Sequence, residues 1–243
     1  MKLPDRSTII IIVVNRGEAA LKEKKKLIRW CDKRLKKDYG DKVLPRVRKD
    51  PLDELVLTVL SQNTNDLNRD RAYAELRARF PRWEDVLCAP VKRIEAAIRV
   101  GGLAGQKSAR IKAMLGLIKE REGKLELGRI CGMPEEDALH YLYSMKGVGE
   151  KTAACVLLFS CGKPVFPVDT HILRVSKRLW LVPEKAGAKE AHKIMGEMVP
   201  KKAVYRFHLN VIEHGRRTCH PRKPECSACC LNEKCPSAHR IGS

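Results

Sequence analysis

Apolar residues recur at helical spacing along almost the whole chain. Over residues 17–39, Leu21, Leu27, Ile28, Trp30, Cys31 and Leu35 are the apolar members of a basic amphipathic stretch. Asp50-Pro51 then reads as a helix start, with the Asp as N-cap and the Pro at the first helical position. Leu52, Leu55, Val56, Val59 and Leu60 give that helix its buried face, and it ends in the polar run Ser61-Gln62-Asn63-Thr64-Asn65. Asp66 is expected to cap a helix running through Phe80, with Leu67, Ala72 and Leu76 on one side. Further helices are predicted around 90–100 and 104–121, flanking Gly101-Gly102, and near 135–144, 150–160, 170–180, 187–198 and 201–214. No strand run follows residue 15. Helices of about 10–15 residues separated by Pro, Gly and short polar turns predict an all-α protein. Tyr141, Tyr143 and Trp180 are expected in its core.

The apolar run Ile9 to Val14 stands apart. Its six residues fall far short of the roughly 20 that span a bilayer. No small-residue cleavage site follows it, so it does not read as a signal peptide. A short buried strand or a loose N-terminal extension is the expectation, and no membrane association is predicted.

Charge changes the picture. The chain has 243 residues, 49 Lys plus Arg against 29 Asp plus Glu, and a formal charge of +20. Residues 22–49 alone carry 13 basic and 4 acidic side chains, a net of +9. Such an excess favours polyanionic partners, nucleic acid first and an anionic membrane surface second. For the N-terminal stretch a solvated helix face is an equally good account. With aromatics at only 5 %, a stacking platform for single strands is not indicated.

One stretch carries more information: Leu142-Tyr143-Ser144-Met145-Lys146-Gly147-Val148-Gly149-Glu150-Lys151-Thr152-Ala153-Ala154. A helix ends, a Gly-x-Gly turn follows and a second helix begins. An isolated Gly-x-Gly is an ordinary interhelical turn. Here the peptide N–H groups opening the second helix, with its dipole, form a site suited to a DNA phosphate. Lys146, Gly147, Val148, Gly149 and Thr152 are the candidate contacts. Lys151 lies in the first turn of that helix, where the dipole opposes the cationic form. Schiff-base chemistry requires a free amine. Eighteen residues on comes Val168-Asp169-Thr170-His171-Ile172. Asp169 is expected to cap the helix from Thr170 to Trp180. A capping carboxylate is held rigidly, and its charge can stabilise a cation developing at a sugar.

Ten cysteines are present, and four stand near the C-terminus as Cys219-x6-Cys226-x2-Cys229-x5-Cys235. Cys-x2-Cys suits any tetrahedral thiolate site, and zinc is the default occupant of four such ligands. The x6 and x5 spacings are unlike common zinc ribbons, and Cys226-x3-Cys230 offers an alternative pair. A metal folding the loop His220–Glu225 presents Arg222 and Lys223 to a phosphate. Cys31, Cys88, Cys131, Cys155, Cys161 and Cys230 are scattered singly and are expected to pack as small apolar side chains. The cysteine pattern reads as that of an intracellular protein with one metal site, in cytoplasm or nucleoid if the source is a prokaryote.

The hairpin with Lys151, the Val168–His171 segment and the cysteine tail, approached through His214-Gly215-Arg216-Arg217-Thr218, together resemble the endonuclease III family of helix-hairpin-helix DNA glycosylases. The resemblance covers roughly residues 20–237. It implies two helical domains with a DNA cleft between them: a six-helix barrel over 46–163 containing the helix-hairpin-helix, and a domain formed by 17–45 with 164–243 that holds a [4Fe-4S] cluster on the four cysteines, leaving 1–16 as an extension. It implies a monomer acting on double-stranded DNA that contains a damaged base or abasic site. Lys151 becomes the nucleophile at C1′, and Asp169 its electrostatic partner. In the related adenine–DNA glycosylases the lysine position is not lysine, so Lys151 favours a bifunctional glycosylase and β-elimination lyase, on oxidised pyrimidines first. A monofunctional glycosylase for mismatched, deaminated or alkylated bases is the alternative, and a non-catalytic nucleic-acid-binding protein is a third. The sequence departs from the family where Met145-Lys146 replaces the usual Leu-Pro, and where Glu150 and Glu225 replace basic residues. Ser61–Asp66 also differs from the usual endonuclease III sequence. Asn63 is the best match to the amide that fills the gap left by a flipped base, with Gln62 next; a polar helix end accounts for both equally well. His171 either lines the base pocket or is a packed, hydrogen-bonded histidine.

Overall fold

The computed structural model describes residues 6–238, with side chains from residue 18 onward. In chain order its α-helices are α1 (Arg6–Tyr39), α2 (Pro51–Leu60), α3 (Asp66–Arg79), α4 (Trp83–Cys88), α5 (Val91–Ala97), α6 (Ala104–Glu122), α7 (Glu135–Tyr143), α8 (Glu150–Phe159), α9 (Thr170–Arg178), α10 (Ala188–Met198) and α11 (Val204–Arg217). Short 3-10 turns link several of them, and no strand occurs among the described residues. The all-α reading therefore holds. Two compact units divide the chain: a central unit of residues 44–167 and a terminal unit of 1–43 with 168–243.

The central unit is organised by α2. Asp50 caps it, its carboxylate accepting from the N–H groups of Leu52 at 2.8 Å and Asp53 at 3.4 Å, and Pro51 supplies the preset φ of the first turn. Nearly every later residue of the helix is buried, including Leu52, Leu55, Val56, Val59 and Leu60. α2 packs mainly on α8, and α5 on α6. Ile94, Ile98, Ile111, Leu115, Leu142 and Val156 complete the core. Full burial of an aliphatic side chain stabilises by about 1.5–3 kcal/mol, so this cluster carries most of the unit's stability.

In the terminal unit, α11 packs on both α1 and α9. Ile28, Leu35, Ile172, Val175, Phe207 and Val211 are buried there. Long polar contacts reinforce the packing. Arg206 forks onto Asp32 with bonds of 3.0 and 2.7 Å and reaches Asp41 at 3.0 Å. Lys24 Nζ donates to the Leu181 carbonyl at 3.0 Å.

Several expectations are corrected. The backbone of Ile9–Val14 is helical and part of α1, not a strand; apolar runs of this length suit either state, and the long helical periodicity beyond them decides. Asn65, not Asp66, caps α3: its side chain accepts from the Asn68 N–H at 2.8 Å, while Asp66 pairs with Arg69 at 3.0 Å. Ala72 and Leu76 are buried, but Leu67 in the first turn is 69 % exposed. Trp180 and Tyr143 are exposed rather than core residues. Cys88 is exposed, and Cys131 and Cys161 do not pack as free thiols: they form a disulfide with a Cα–Cα distance of 4.8 Å. It encloses α7, the Gly-x-Gly turn and α8.

Candidate active site and thiol centre

In the hairpin of the central unit, the Met145 N–H bonds back to Leu142 at 3.1 Å and the Val148 N–H to Met145 at 3.1 Å, so the chain reverses tightly. Gly147 has φ +87°, a left-handed value that glycine adopts without cost. Gly149 precedes α8 with no side-chain cap, so the first N–H groups of that helix are not satisfied by a local carboxylate or hydroxyl. Lys146, Gly147 and Gly149 are exposed, whereas Val148 and Thr152 are buried and offer only backbone at this surface. Lys151 follows in the first turn of α8, half-buried. Glu54 of α2, only 8 % exposed, accepts from the Thr58 hydroxyl at 3.3 Å. Burial pushes its carboxyl up, against the opposing influence of Lys49, Arg69 and Lys151.

Gln62 and Asn63 have different settings. The Gln62 amide oxygen accepts from Arg110 at 2.8 Å, and its nitrogen donates to the Gly147 carbonyl at 3.4 Å. Asn63 is exposed, with φ +52°. Leu103, on the same unit, also has positive φ and is 50 % exposed.

In the terminal unit Asp169 caps α9, its carboxylate accepting from the Ile172 N–H at 2.8 Å. His171 Nδ1 lies 3.1 Å from Arg174 Nη2, so it is a hydrogen-bonded histidine. The same Arg174 donates to the carbonyls of Gly215 at 2.8 Å and Cys219 at 3.0 Å. Gly215 is required by this approach: a Cβ there falls 2.9 Å from that of His171. One turn further along α9, Arg178 binds the carbonyls of His220 at 2.7 Å and Pro221 at 3.1 Å, and the Cys219 sulfur at 3.1 Å. α9 thus carries a fixed carboxylate at its start and a guanidinium clamp on the cysteine loop along its length.

Cys219, Cys226, Cys229 and Cys235 line one small cavity, together with His214 and the apolar Val175, Leu179, Leu231 and Ala238. Cys230 is not in this lining; burial pushes its thiol up to about 12, with Asp38 as a further cause. Among the described residues no three His, Cys, Asp or Glu side chains are gathered to hold a single metal ion. The donor set nevertheless fits a soft-metal centre: four sulfurs around one space, with the Leu231 N–H 3.4 Å from Cys229 Sγ and Arg178 on Cys219 as the outer bonds that thiolate ligands need. Burial lowers His214 to about 4, so it is neutral beside Cys229 and its ring is fixed by the Tyr39 hydroxyl at 3.0 Å. Arg222 and Lys223 are exposed on the loop between the first two cysteines.

Sequence reasoning missed Arg110, Arg174, Arg178 and Glu54. The i,i+4 spacing of Arg174 and Arg178 after the Asp169 cap was the available signal.

The model of the HhH-GPD superfamily of base excision DNA repair proteins matches residues 56–201. The chain belongs to this superfamily. Among its relatives, this HhH-GPD protein is 38 % identical over 187 residues to a putative DNA glycosylase of Arabidopsis thaliana, covering 77 % of this chain and 61 % of the plant protein. It thus spans less than two thirds of that relative's length. Endonuclease III of Thermotoga maritima is 32 % identical over 203 residues, 83 % of this chain and 91 % of the relative. A solved endonuclease III–DNA complex, trapped as a covalent intermediate, superposes with a TM-score of 0.77 at 28 % identity, covering 89 % of this HhH-GPD chain and 97 % of that one. The resemblance to endonuclease III is thereby borne out. No helix among the described residues of the HhH-GPD chain is long and apolar enough to cross a membrane.

Proposed function

We propose that this protein is a base-excision DNA glycosylase with abasic-site lyase activity, acting as an intracellular monomer on duplex DNA that carries a damaged base, oxidised or ring-saturated pyrimidines first. The observation that carries the reading is Lys151, a half-buried amine in the first turn of a helix whose N-terminus has no side-chain cap and follows a tight hairpin. A helix start of this kind binds a phosphate next to the amine. The covalently trapped endonuclease III relative supports the same chemistry.

In this reading the target nucleotide leaves the base stack, which costs least for a lesion that pairs poorly. The hairpin N–H groups hold the adjacent phosphate, and Asn63 enters the gap. The Lys151 nitrogen attacks C1′ while the glycosidic bond breaks, and the base departs with the bonding electron pair and the proton that the attacking nitrogen loses. The positive charge developing at the sugar is stabilised by the Asp169 carboxylate, which its cap bond to Ile172 holds in one orientation. Loss of the sugar ring C–O bond gives a Schiff base between Lys151 and C1′. Removal of a C2′ proton then expels the 3′ phosphate by β-elimination, and water releases the lysine.

Cys219, Cys226, Cys229 and Cys235 would hold a [4Fe-4S] cluster. When bound it would supply folding free energy to the loop on which Arg222 and Lys223 are exposed for contact with DNA phosphates. A visible absorption band from anaerobically purified protein supports it; a colourless zinc-loaded protein refutes it.

Borohydride reduction in the presence of duplex containing an abasic site is expected to trap a covalent adduct, and Lys151→Gln to abolish it. Undiminished trapping by that variant rules out the mechanism. Base release without strand cleavage by the native protein replaces it with the monofunctional reading.

A further inference from the structure

Helix α6 turns two cations, one helical turn apart, toward the end of α2. Lys107 is buried, and its ammonium donates to the carbonyls of Leu60 at 2.7 Å and Gly101 at 2.8 Å. Those are carbonyls that a helix end and a tight turn leave without backbone partners. Three residues on, Arg110 Nη1 donates to Gln62 Oε1 at 2.8 Å. The other end of that amide donates to the Gly147 carbonyl in the hairpin turn. A guanidinium only donates and a peptide carbonyl only accepts. The Gln62 amide is therefore oriented by both neighbours, with its oxygen toward Arg110 and its nitrogen toward the hairpin. The Arg110 stem fills the space beside Gly147, where a Cβ would lie 2.9 Å from Arg110 Cδ. Arg110 thus touches the polar loop after α2 through hydrogen bonding and the hairpin turn through packing. Neither contact is required by the core: Arg110 is not among the buried residues of α6, whose apolar inward members are Ile111, Met114, Leu115 and Ile118.

We infer that Arg110 is a positioning residue that fixes the Gln62–Asn63 loop to the hairpin, so that the side chain entering the duplex and the turn gripping the phosphate share one frame. The inference rests on the glycosylase reading above and adds the element that sets the reach of Asn63. With Gln62 held at both ends, the exposed Asn63 at φ +52° is the neighbour left to project. Without the guanidinium, Gln62 loses its charged partner and keeps only a 3.4 Å bond to the turn. Phosphate binding by the hairpin is expected to survive, and insertion of the loop into the duplex is expected to fail.

A duplex carrying a tetrahydrofuran abasic analogue opposite 2-aminopurine separates the two events. The dissociation constant reads the phosphate grip, and 2-aminopurine fluorescence reads entry of the loop at the opposite base. The native protein is expected to bind and to change the fluorescence. Arg110→Met retains the stem beside Gly147; its affinity should stay within about threefold while most of the fluorescence change is lost. Gln62→Ala should behave the same way, and the double variant should be no worse than either single one, because all three remove one shared connection. A full fluorescence change in R110M, additive losses in the double variant, or parallel loss of affinity, fluorescence and thermal stability each overturns the inference. So does native binding with no fluorescence change. Failure of the native protein to bind this duplex at all refutes the DNA-repair reading itself, and the inference with it.

Discussion

The two units fasten the residues proposed for the chemistry, Lys151 and Asp169, by different means. In the central unit Lys151 rides on α8, a helix with Thr152, Ala153, Ala154, Val156 and Leu157 buried, and a disulfide joins the segments before α7 and after α8. Position is set there by apolar burial and a covalent tie. In the terminal unit Asp169 opens α9, which two of its own arginines clamp onto the cysteine loop, and four free thiols line a cavity beside it. Position is set there by charge-assisted hydrogen bonds and by sulfur donors. Cysteine serves both designs: paired with each other in one unit, available to a metal in the other. Composition alone therefore does not assign a cysteine; its neighbours do.

The largest effect is expected at the thiol centre. Cys226→Ser is expected to unfold the terminal unit, since a structural metal contributes on the order of 10 kcal/mol in small metal-folded domains. Hydrogen exchange should show protection lost from α9 and α11 and retained in α2 and α8. Uniform loss across both units shows that they do not differ in this way. Next in size, Asp169→Asn should preserve the α9 cap, because Asn caps as well as Asp, yet lower single-turnover strand cleavage by roughly 100-fold or more. Asp169→Ala should add a stability loss of about 1 kcal/mol in denaturant unfolding. Equal activity of native and Asn proteins removes the carboxylate from the mechanism.

For the covalent tie, Cys131→Ser opens a loop with a sequence separation of 30, a loss of about 3–4 kcal/mol in the chain-entropy account. Dithiothreitol should lower the stability of the native protein by the same amount and leave the variant unchanged. The smallest effect concerns Glu54. Its folded carboxyl is raised by burial above the ordinary 4.5, so the folded state holds the proton more tightly than the unfolded chain. That raises stability as pH falls through the folded value and costs stability above it. Glu54→Gln is therefore expected to melt higher than the native protein at pH 7, with the difference narrowing as pH falls toward 4.5. A difference independent of pH contradicts the assignment.

The helices were legible because their apolar residues recur with the helical period and their starts carry caps: Asp50-Pro51 and Asp169 behave as their side-chain chemistry dictates. The same logic failed where two adjacent residues are equally able to cap, as at Asn65 and Asp66. Periodicity also overstated burial at Leu67, Tyr143 and Trp180, because it marks a face without saying whether another element covers it. The four cysteines of the tail were legible from their spacing, and Cys131 and Cys161 were not, because two singly placed cysteines have no local pattern. Arg110 was invisible for a similar reason, and the i,i+4 spacing of Arg174 and Arg178 marked a shared helix face without showing what it binds. Their partners are carbonyls, an amide and a sulfur distant in sequence, and nothing in the local pattern of a basic helix face separates a clamp from a solvated side chain.

The Cys131–Cys161 bridge has a consequence for how the protein withstands damage to its backbone. It closes ahead of one hairpin helix and behind the other. A protease cut anywhere from 132 to 160 therefore leaves two fragments that remain covalently one molecule, separable on a gel only after reduction.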